Sequence, residues 1–307
     1  MLIYSETLNA INSFSRVTHS FAECFRRLGC SVEVSNDPLK RYDLAVYGPH
    51  VSVRAKTLCL FWETTKLKPE DAENLLAYNY KKIIVTCKMT QKSLLDANIQ
   101  SEIIHLAAEK APSPLAPFKT FRFYTIYQDL GYAERKRAQD LVTAFTRAFP
   151  FEKDARLLIK QGPNCAPLTI FDSRITVINK LLEDVNELHR NNHIFVSACG
   201  AEGWGYPHHD AMAHGRPVIC PAFGGPTEFL NNTCAWMLPV EMINAPSGFY
   251  DRSGQIGKIN VNDLAYAMRY AYKNKAEVME KSVNAFIRAR NFTLDQMTVS
   301  VKKAFNL

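Results

Sequence analysis

Residues 200–219 read GAEGWGYPHHDAMAHGRPVI, with two carboxylates, Glu202 and Asp210, and three histidines gathered around one turn. The preceding HIFVSACG reads as a strand and Pro207 suits the first helical position, so GAEGWGY is a loop ending at a helix N-terminus. Gly203 and Gly205 let backbone approach a ligand closely, and the free N–H groups there favour an anion or sugar oxygens. A carboxylate accepts two hydrogen bonds from vicinal hydroxyls, as on ribose or a hexose. Asp210 could equally complement the helix dipole while the glycines only make the turn. Asp210 and His214 are four apart, with His208 and His209 close by, which raises a metal. A divalent site wants three or four ligands, and no second cluster completes one, so no metal is expected and packing or sugar contact is preferred for the histidines.

A second stretch, AERKRAQDLVTAF, carries Arg135, Lys136 and Arg137 at the opening of a helix whose buried face is Leu141, Val142, Ala144, Phe145 and Phe149. Cations there oppose the helix dipole unless an anion sits among them, and a diphosphate would do so; a solvated basic surface offset by Glu134 and Asp140 is the plainer alternative. The third stretch, AFGGPTEFL, places Gly224 and Gly225 in a tight turn before a short helix at the same sheet edge. In CLFWETTKLKPE, Glu63 stands just beyond a strand, where it could face a cleft or pair with Lys66 or Lys68, and Trp62 could be core.

These residues need a frame that brings strand ends together. Strands are expected at 2–5, 32–34, 44–47, 57–61, 83–86 and 103–106, then in FRFYTIY, ARLLIKQ, RITVI, HIFVS, RPVIC and CAWML. Helical patterns lie between them, including SRVTHSFAECFRRLG with its Gly29 stop, RKRAQDLVTAFTRAF, PHHDAMAHG and everything from about residue 261. The proline-rich EKAPSPLAPFKT separates two such halves. The alternation predicts an α/β protein of two Rossmann-like, doubly wound parallel-sheet domains facing each other across a cleft, over 1–112 and 118–290, with a helix over about 291–307 packing back on the first.

The 307 residues are 47% hydrophobic and 22% charged, with a net charge of +7, which suits a soluble protein with an anionic partner. No apolar run reaches membrane-helix length and no signal peptide is visible, so a cytoplasmic location is expected, with peripheral membrane contact open. The eight scattered cysteines read as reduced structural thiols. SETLNAINSFSR, after the first strand, lacks G-x-G-x-x-G, which removes the main support for a dehydrogenase.

The run AEGWGYPHHDAMAHGRPVICPAFGGPTEFL resembles the signature of retaining glycosyltransferases of the GT-B fold, family 4 or group 1 type, E-G-F-G-x-P-x-x-E-A-M-A-x-G-x-P-V-I followed by G-G-x-x-E. LFWETTKLKPEDAENLLAYNYKKIIVTCKMTQKSLLDANI and ERKRAQDLVTAFTRAF are similar to further segments of that family, so the resemblance covers nearly the whole chain. It implies transfer of a sugar, with retention, from a UDP- or GDP-type nucleotide sugar to a hydroxyl on a glycan, lipid or other biopolymer, with no cofactor or metal required. Glu202 would bind the transferred sugar, Asp210, where the second acid is usually Glu, the ribose, and Lys136 the diphosphate. The backbone of Gly203, Trp204, Gly205 and Tyr206 would contact sugar or phosphates, with Gly224 and Gly225 beside them. The family Arg before that Lys is missing from YQDLGYAERK, and Arg135, Arg137 or Lys160 would substitute. The acceptor would bind the first half around the 9–19 loop, at Asn12, Ser13 and His19, and at Glu63. Hydroxylated bases of DNA are an alternative acceptor, and a non-catalytic fold-mate binding nucleotide or nucleic acid is the rival from another class.

Overall fold

The structure is a computed structural model describing the chain apart from residues 7–12, 49–52, 109–111, 130–132 and 248–249. The first half runs β1 (Leu2–Tyr4), α1 (Ser13–Arg27), β2 (Glu33–Ser35), β3 (Tyr42–Tyr47), β4 (Ala55–Leu60), α2 (Pro69–Tyr78), β5 (Lys82–Val85), α3 (Lys88–Leu95) and β6 (Glu102–Ile103). The second continues with β7 (Phe121–Tyr127), α4 (Ala133–Lys136), α5 (Ala138–Ala148), β8 (Ala155–Gln161), β9 (Ile175–Ile178), α6 (Asn186–Asn191), β10 (Ile194–Val196), α7 (Tyr206–Ala213), β11 (Val218–Pro221), α8 (Pro226–Phe229) and β12 (Ala235–Leu238). A hairpin of β13 (Glu241–Asn244) and β14 (Gln255–Lys258) follows, then α9 (Val261–Lys273), α10 (Lys275–Ala289) and α11 (Leu294–Phe305).

Two six-stranded parallel sheets result, ordered β2-β1-β3-β4-β5-β6 and β12-β11-β10-β7-β8-β9. The central strands are apolar without alternation because both faces are covered: every residue of β10 and β11 is buried. In α1 the buried Val17, Phe21, Cys24 and Phe25 keep helical spacing, and Gly29 follows at φ 82°, a left-handed stop natural to glycine. In the second sheet the winding reverses between β7 and β10, so α5 and α7 leave adjacent strands in opposite directions and open a crevice at the strand ends.

Three elements depart from the sequence expectation. The predicted helix RKRAQDLVTAFTRAF is two pieces, because Arg137 takes the left-handed conformation at φ 52° between α4 and α5. The helical tail is three helices, divided at Asn274, which caps α9, and at Thr293, whose hydroxyl accepts from Gln296 N–H at 3.3 Å to start α11. The β13–β14 hairpin was not foreseen, and it reaches the first half: Thr65 N–H donates to the Gln255 carbonyl, and Gln255 N–H to the Thr65 hydroxyl at 2.9 Å.

The halves are joined by shared cores. One apolar cluster runs from Ile3, Val17 and Phe21 to Phe195, Met212 and Phe292, and another joins Trp62 and Leu67 to Tyr250 and Ile256 of the hairpin region. α11 packs on α1 of the first half, with Phe25 and Phe305 edge to face at 4.9 Å and Arg27 paired to Asp295 at 2.7 Å.

Candidate active site

Glu202 lies in the β10–α7 connection and Lys136 ends α4, so both stand at the crevice where the winding reverses. Lys136 Nζ donates to Glu202 Oε1 at 2.5 Å. Arg135 Nη1 lies 3.9 Å from the other Glu202 oxygen, donates to Glu63 Oε1 at 2.5 Å and to the Ala201 carbonyl at 3.0 Å. Tyr250 closes the chain by donating its hydroxyl to Glu63 Oε2. Arg137 pairs with Asp140 at 2.6 Å. The three cations that seemed to call for an anion therefore each have a carboxylate within the protein, and Glu63 pairs with Arg135 rather than with Lys66 or Lys68. Burial opposes ionisation of Glu202, but Lys136 and Arg135 outweigh it and hold the carboxyl well below the usual range.

Asp210, on α7, is buried and meets a residue absent from the sequence expectation. Arg16 of α1 grips it with both arms, Nη1 to Oδ2 at 2.6 Å and Nη2 to Oδ1 at 2.7 Å, while its guanidinium lies 4.1 Å from the Tyr206 ring centroid. Burial again opposes ionisation of Asp210, and Arg16 reverses the balance. Asp210 is thus an ion-pair partner across the two halves, and it lies beyond the first turn of α7, the turn where a complement to the helix dipole would stand.

The glycines hold the loop in place. Gly205 caps α7 at φ 91°, a conformation that disfavours any side chain. Gly225 donates its N–H to the Glu202 carbonyl at 2.7 Å, and a Cβ there would fall 2.5 Å from Trp204 Cα. The Gly224–Gly225 turn is therefore the support on which the Glu202 loop rests. From the other side Thr86 donates to the Gly203 carbonyl at 2.8 Å, and Lys88 N–H and His105 both reach Glu228 of α8, so the first half holds both the Glu202 loop and the short helix after the glycine turn.

The other expected site residues take the following places. The Trp204 indole is buried among Phe229, Phe292 and His105 and donates to His209 Nδ1 at 3.1 Å, so its side chain belongs to the core while its backbone stays in the Glu202 loop. Lys160 donates to the Gln161 carbonyl at 2.8 Å and makes no ion pair among the described residues, because its place near the end of β8 keeps its ammonium beside that backbone. Ser13 opens α1 rather than a loop, since the buried stripe from Ser15 onward continues the helix back to it. His19 is exposed on that helix and donates its Nδ1–H to the Ser15 carbonyl at 2.7 Å. Asn12 lies outside the described residues.

His208, His209 and His214 converge on no common point: His209 accepts from Trp204, and His214 donates to the Asp210 carbonyl while stacking on His189. No group of three metal-capable side chains occurs among the described residues. Burial keeps His208 and His209 neutral, with pKa values pushed down to about 4 and about 3. Glu202, Lys136 and His208 border a crevice of only about 10 Å³, and Lys136 also lines a cavity of about 350 Å³ bounded by Tyr127, Arg137, Asp140 and Asn244. All eight cysteines are free, and no helix among the described residues is long and apolar enough to cross a membrane.

Residues 128–250, which contain Lys136, Glu202, Asp210 and the Gly224–Gly225 turn, match the protein family described as Glycosyl transferases group 1. The whole fold is GT-B. It is similar to sucrose-phosphate synthase from Thermosynechococcus elongatus, at TM-score 0.74 and 13% identity over 99% of this chain and 98% of that one. HepE from Anabaena, solved with UDP-glucose, gives TM-score 0.66 at 12% identity over 99% and 98%. TarM, from S. aureus, gives 0.62 at 13% identity over 86% of this chain, which spans only 55% of the TarM chain. No curated protein matches the sequence. Set on the GT-B frame, the group 1 motif acids Glu202 and Asp210 face two different cations from two different halves, Lys136 and Arg16.

Proposed function

We propose that this chain is a retaining, metal-independent glycosyltransferase that moves a sugar from a nucleoside-diphosphate sugar to a hydroxyl of a glycan, lipid or other biopolymer. The observation that carries this reading is the Lys136–Glu202 pair, 2.5 Å apart at the switch point of the second sheet and beside the N-terminus of α7. Glu202 would take the hydroxyls of the sugar and Asp210 those of the ribose. Lys136, released from Glu202, would meet the diphosphate together with the N–H groups of the Gly203–Tyr206 turn. As the glycosidic bond breaks, negative charge grows on the departing diphosphate, and fixed cations and N–H groups stabilise it. The leaving phosphate oxygen accepts the proton of the acceptor hydroxyl on the same face as the new bond forms, so no protein nucleophile is needed.

HepE was solved with UDP and glucose, TarM with UDP and pneumococcal GtfA with UDP and GlcNAc, which supports a UDP sugar ahead of a GDP sugar here. Lys136 lines both the crevice at Glu202 and the neighbouring cavity of about 350 Å³, which falls within the roughly 300–1,000 Å³ of ligand sites. The engaged state of Glu63, Glu202 and Asp210 favours a fold-mate without turnover, as does the missing family Arg.

Thermal shifts with UDP, GDP, ADP and their sugar conjugates, with and without magnesium, test the donor site. Stabilisation by one nucleotide, unchanged by magnesium and lost in Asp210→Ala, is the expected result; no shift with any of them would overturn the reading. Donor hydrolysis or transfer that vanishes in Glu202→Ala would exclude the binding-only rival. Hydroxymethylated DNA belongs in the acceptor screen beside glycans and lipids, given the net charge of +7.

A further inference from the structure

The donor reading leaves the diphosphate one cation short. Arg135 is committed to Glu63 and the Ala201 carbonyl, Arg137 to Asp140, and Lys160 to the Gln161 carbonyl. Lys136 is paired at 2.5 Å to Glu202, a group that the donor itself would engage, whereas Arg135 reaches Glu202 only at 3.9 Å and is held by Glu63. Arg16 is in the same position with respect to Asp210: its partner is the carboxylate assigned to the ribose. It stands on α1, its guanidinium lies over the ring of Tyr206, the first residue of α7, and its side chain keeps about a third of its surface exposed.

We propose that Arg16 is the second diphosphate-binding cation of the donor site, supplied by the opposite half of the molecule. Before the donor arrives, Asp210 holds the guanidinium over the α7 N-terminus. When the ribose hydroxyls take Asp210, the guanidinium turns to the diphosphate, which presents the same pair of anionic oxygens that a carboxylate does. The ribose hydroxyls then supply the hydrogen bonds that Asp210 loses from Arg16, since a buried carboxylate left without any partner would be costly. The exchange also ties donor recognition to the contact between the halves, because α1 belongs to the first and α7 to the second. The inference rests on the donor site proposed above.

Calorimetric titration of the full chain with uridine, UMP and UDP, and with the guanosine series, separates the two claims. In Arg16→Gln the affinity for UDP falls by roughly tenfold or more, the scale of a lost charge-assisted contact, while uridine binds as well as before or better because Asp210 is then open to its ribose. Arg16→Lys, which keeps the charge but not the planar fork, falls between. Tightening of uridine and UDP alike in Arg16→Gln would make Arg16 a lock and overturn its role as a phosphate ligand, as would unchanged affinity for both. Should Arg16→Gln fold poorly because Asp210 is left unpaired, the comparison is made on Asp210→Asn, where adding Arg16→Gln still weakens UDP roughly tenfold; no further loss there overturns the proposal. A wild-type chain that binds no nucleoside diphosphate defeats the donor site and this role with it, whereas wild-type binding that Arg16→Gln leaves intact defeats the role alone.

Discussion

Tyr250, Glu63, Arg135, Glu202 and Lys136 form one chain of hydrogen bonds and close ion contacts, and its energetics follow from how little water reaches it. Removing one member of a buried pair costs far more than removing both, because the survivor keeps its charge and loses its compensation. Lys136→Met is therefore expected to lower unfolding free energy by about 3 kcal/mol, and Lys136→Met combined with Glu202→Gln to recover much of that loss. Urea unfolding of the three variants checks this, and a double variant as unstable as the single one would contradict it. Gly225→Ala makes a sharper steric test. Its Cβ would lie 2.5 Å from Trp204 Cα and 2.6 Å from the Trp204 carbonyl oxygen, both backbone atoms that cannot rotate aside. The Glu202 loop must shift, so we expect a loss of about 1–3 kcal/mol together with weakened nucleotide binding, read from melting temperature and titration. At this scale the sequence was informative where partners are local. Glu202, Gly205 and Asp210 are legible within one turn. Arg16 is not, because its partner is 194 residues away and no pattern of spacing marks it.

At the scale of elements, α1 and α11 show how the last helix is held to the first half. Their contact includes Phe25 and Phe305, edge to face at 4.9 Å with an interplanar angle of 87°. Phe25 is fully buried, so Phe25→Ala should cost about 3–5 kcal/mol. A double-mutant cycle with Phe305→Ala should return a coupling of about 0.5–1.5 kcal/mol; additive losses would mean that α11 is held by the Arg27–Asp295 pair and its remaining apolar contacts instead. The elements themselves were legible in proportion to their periodicity. The strands of both sheets read as short apolar runs between turn residues, and β7 and β8 coincide with FRFYTIY and ARLLIKQ. The β13–β14 hairpin escaped because EMIN is short and largely exposed, and ten residues separate the two strands where a two-residue turn would have signalled pairing. The break at Arg137 escaped for a different reason: the left-handed conformation is uncommon for a residue such as arginine, and propensity carries no trace of it.

At the scale of the whole molecule, burying neutral histidines makes stability depend on pH. His189, His193, His208 and His209 are almost completely buried, and burial lowers their pKa values to about 3, about 4, about 4 and about 3, while buried His214 is lowered in the same direction. In the unfolded chain each regains an ordinary value near 6.5. Between pH 6.5 and about 4 the unfolded state therefore binds up to four protons from the first group that the folded state does not, with His214 adding to them, so unfolding becomes easier as pH falls through that window. Well above pH 6.5 they are neutral in both states and the dependence disappears. Each contributes at most about 1.4 kcal/mol per pH unit, so one unit below 6.5 the sum approaches roughly 5 kcal/mol, a large part of a typical margin of about 5–15 kcal/mol. Glu202 and Asp210, whose carboxyls are held below their usual range, add the same sign of dependence only under about pH 4. The expected record is a melting temperature that is flat near pH 7.5 and falls steeply between pH 6.5 and pH 5. His209→Gln makes the separating control. It removes one titrating group of four or five, so its slope below pH 6.5 should be shallower by roughly a fifth to a quarter even if the variant is less stable at pH 7.5. Parallel slopes in wild type and variant would mean that His209 is solvated enough to take up its proton while folded, and that the seam around Trp204 and Phe229 opens before the chain unfolds.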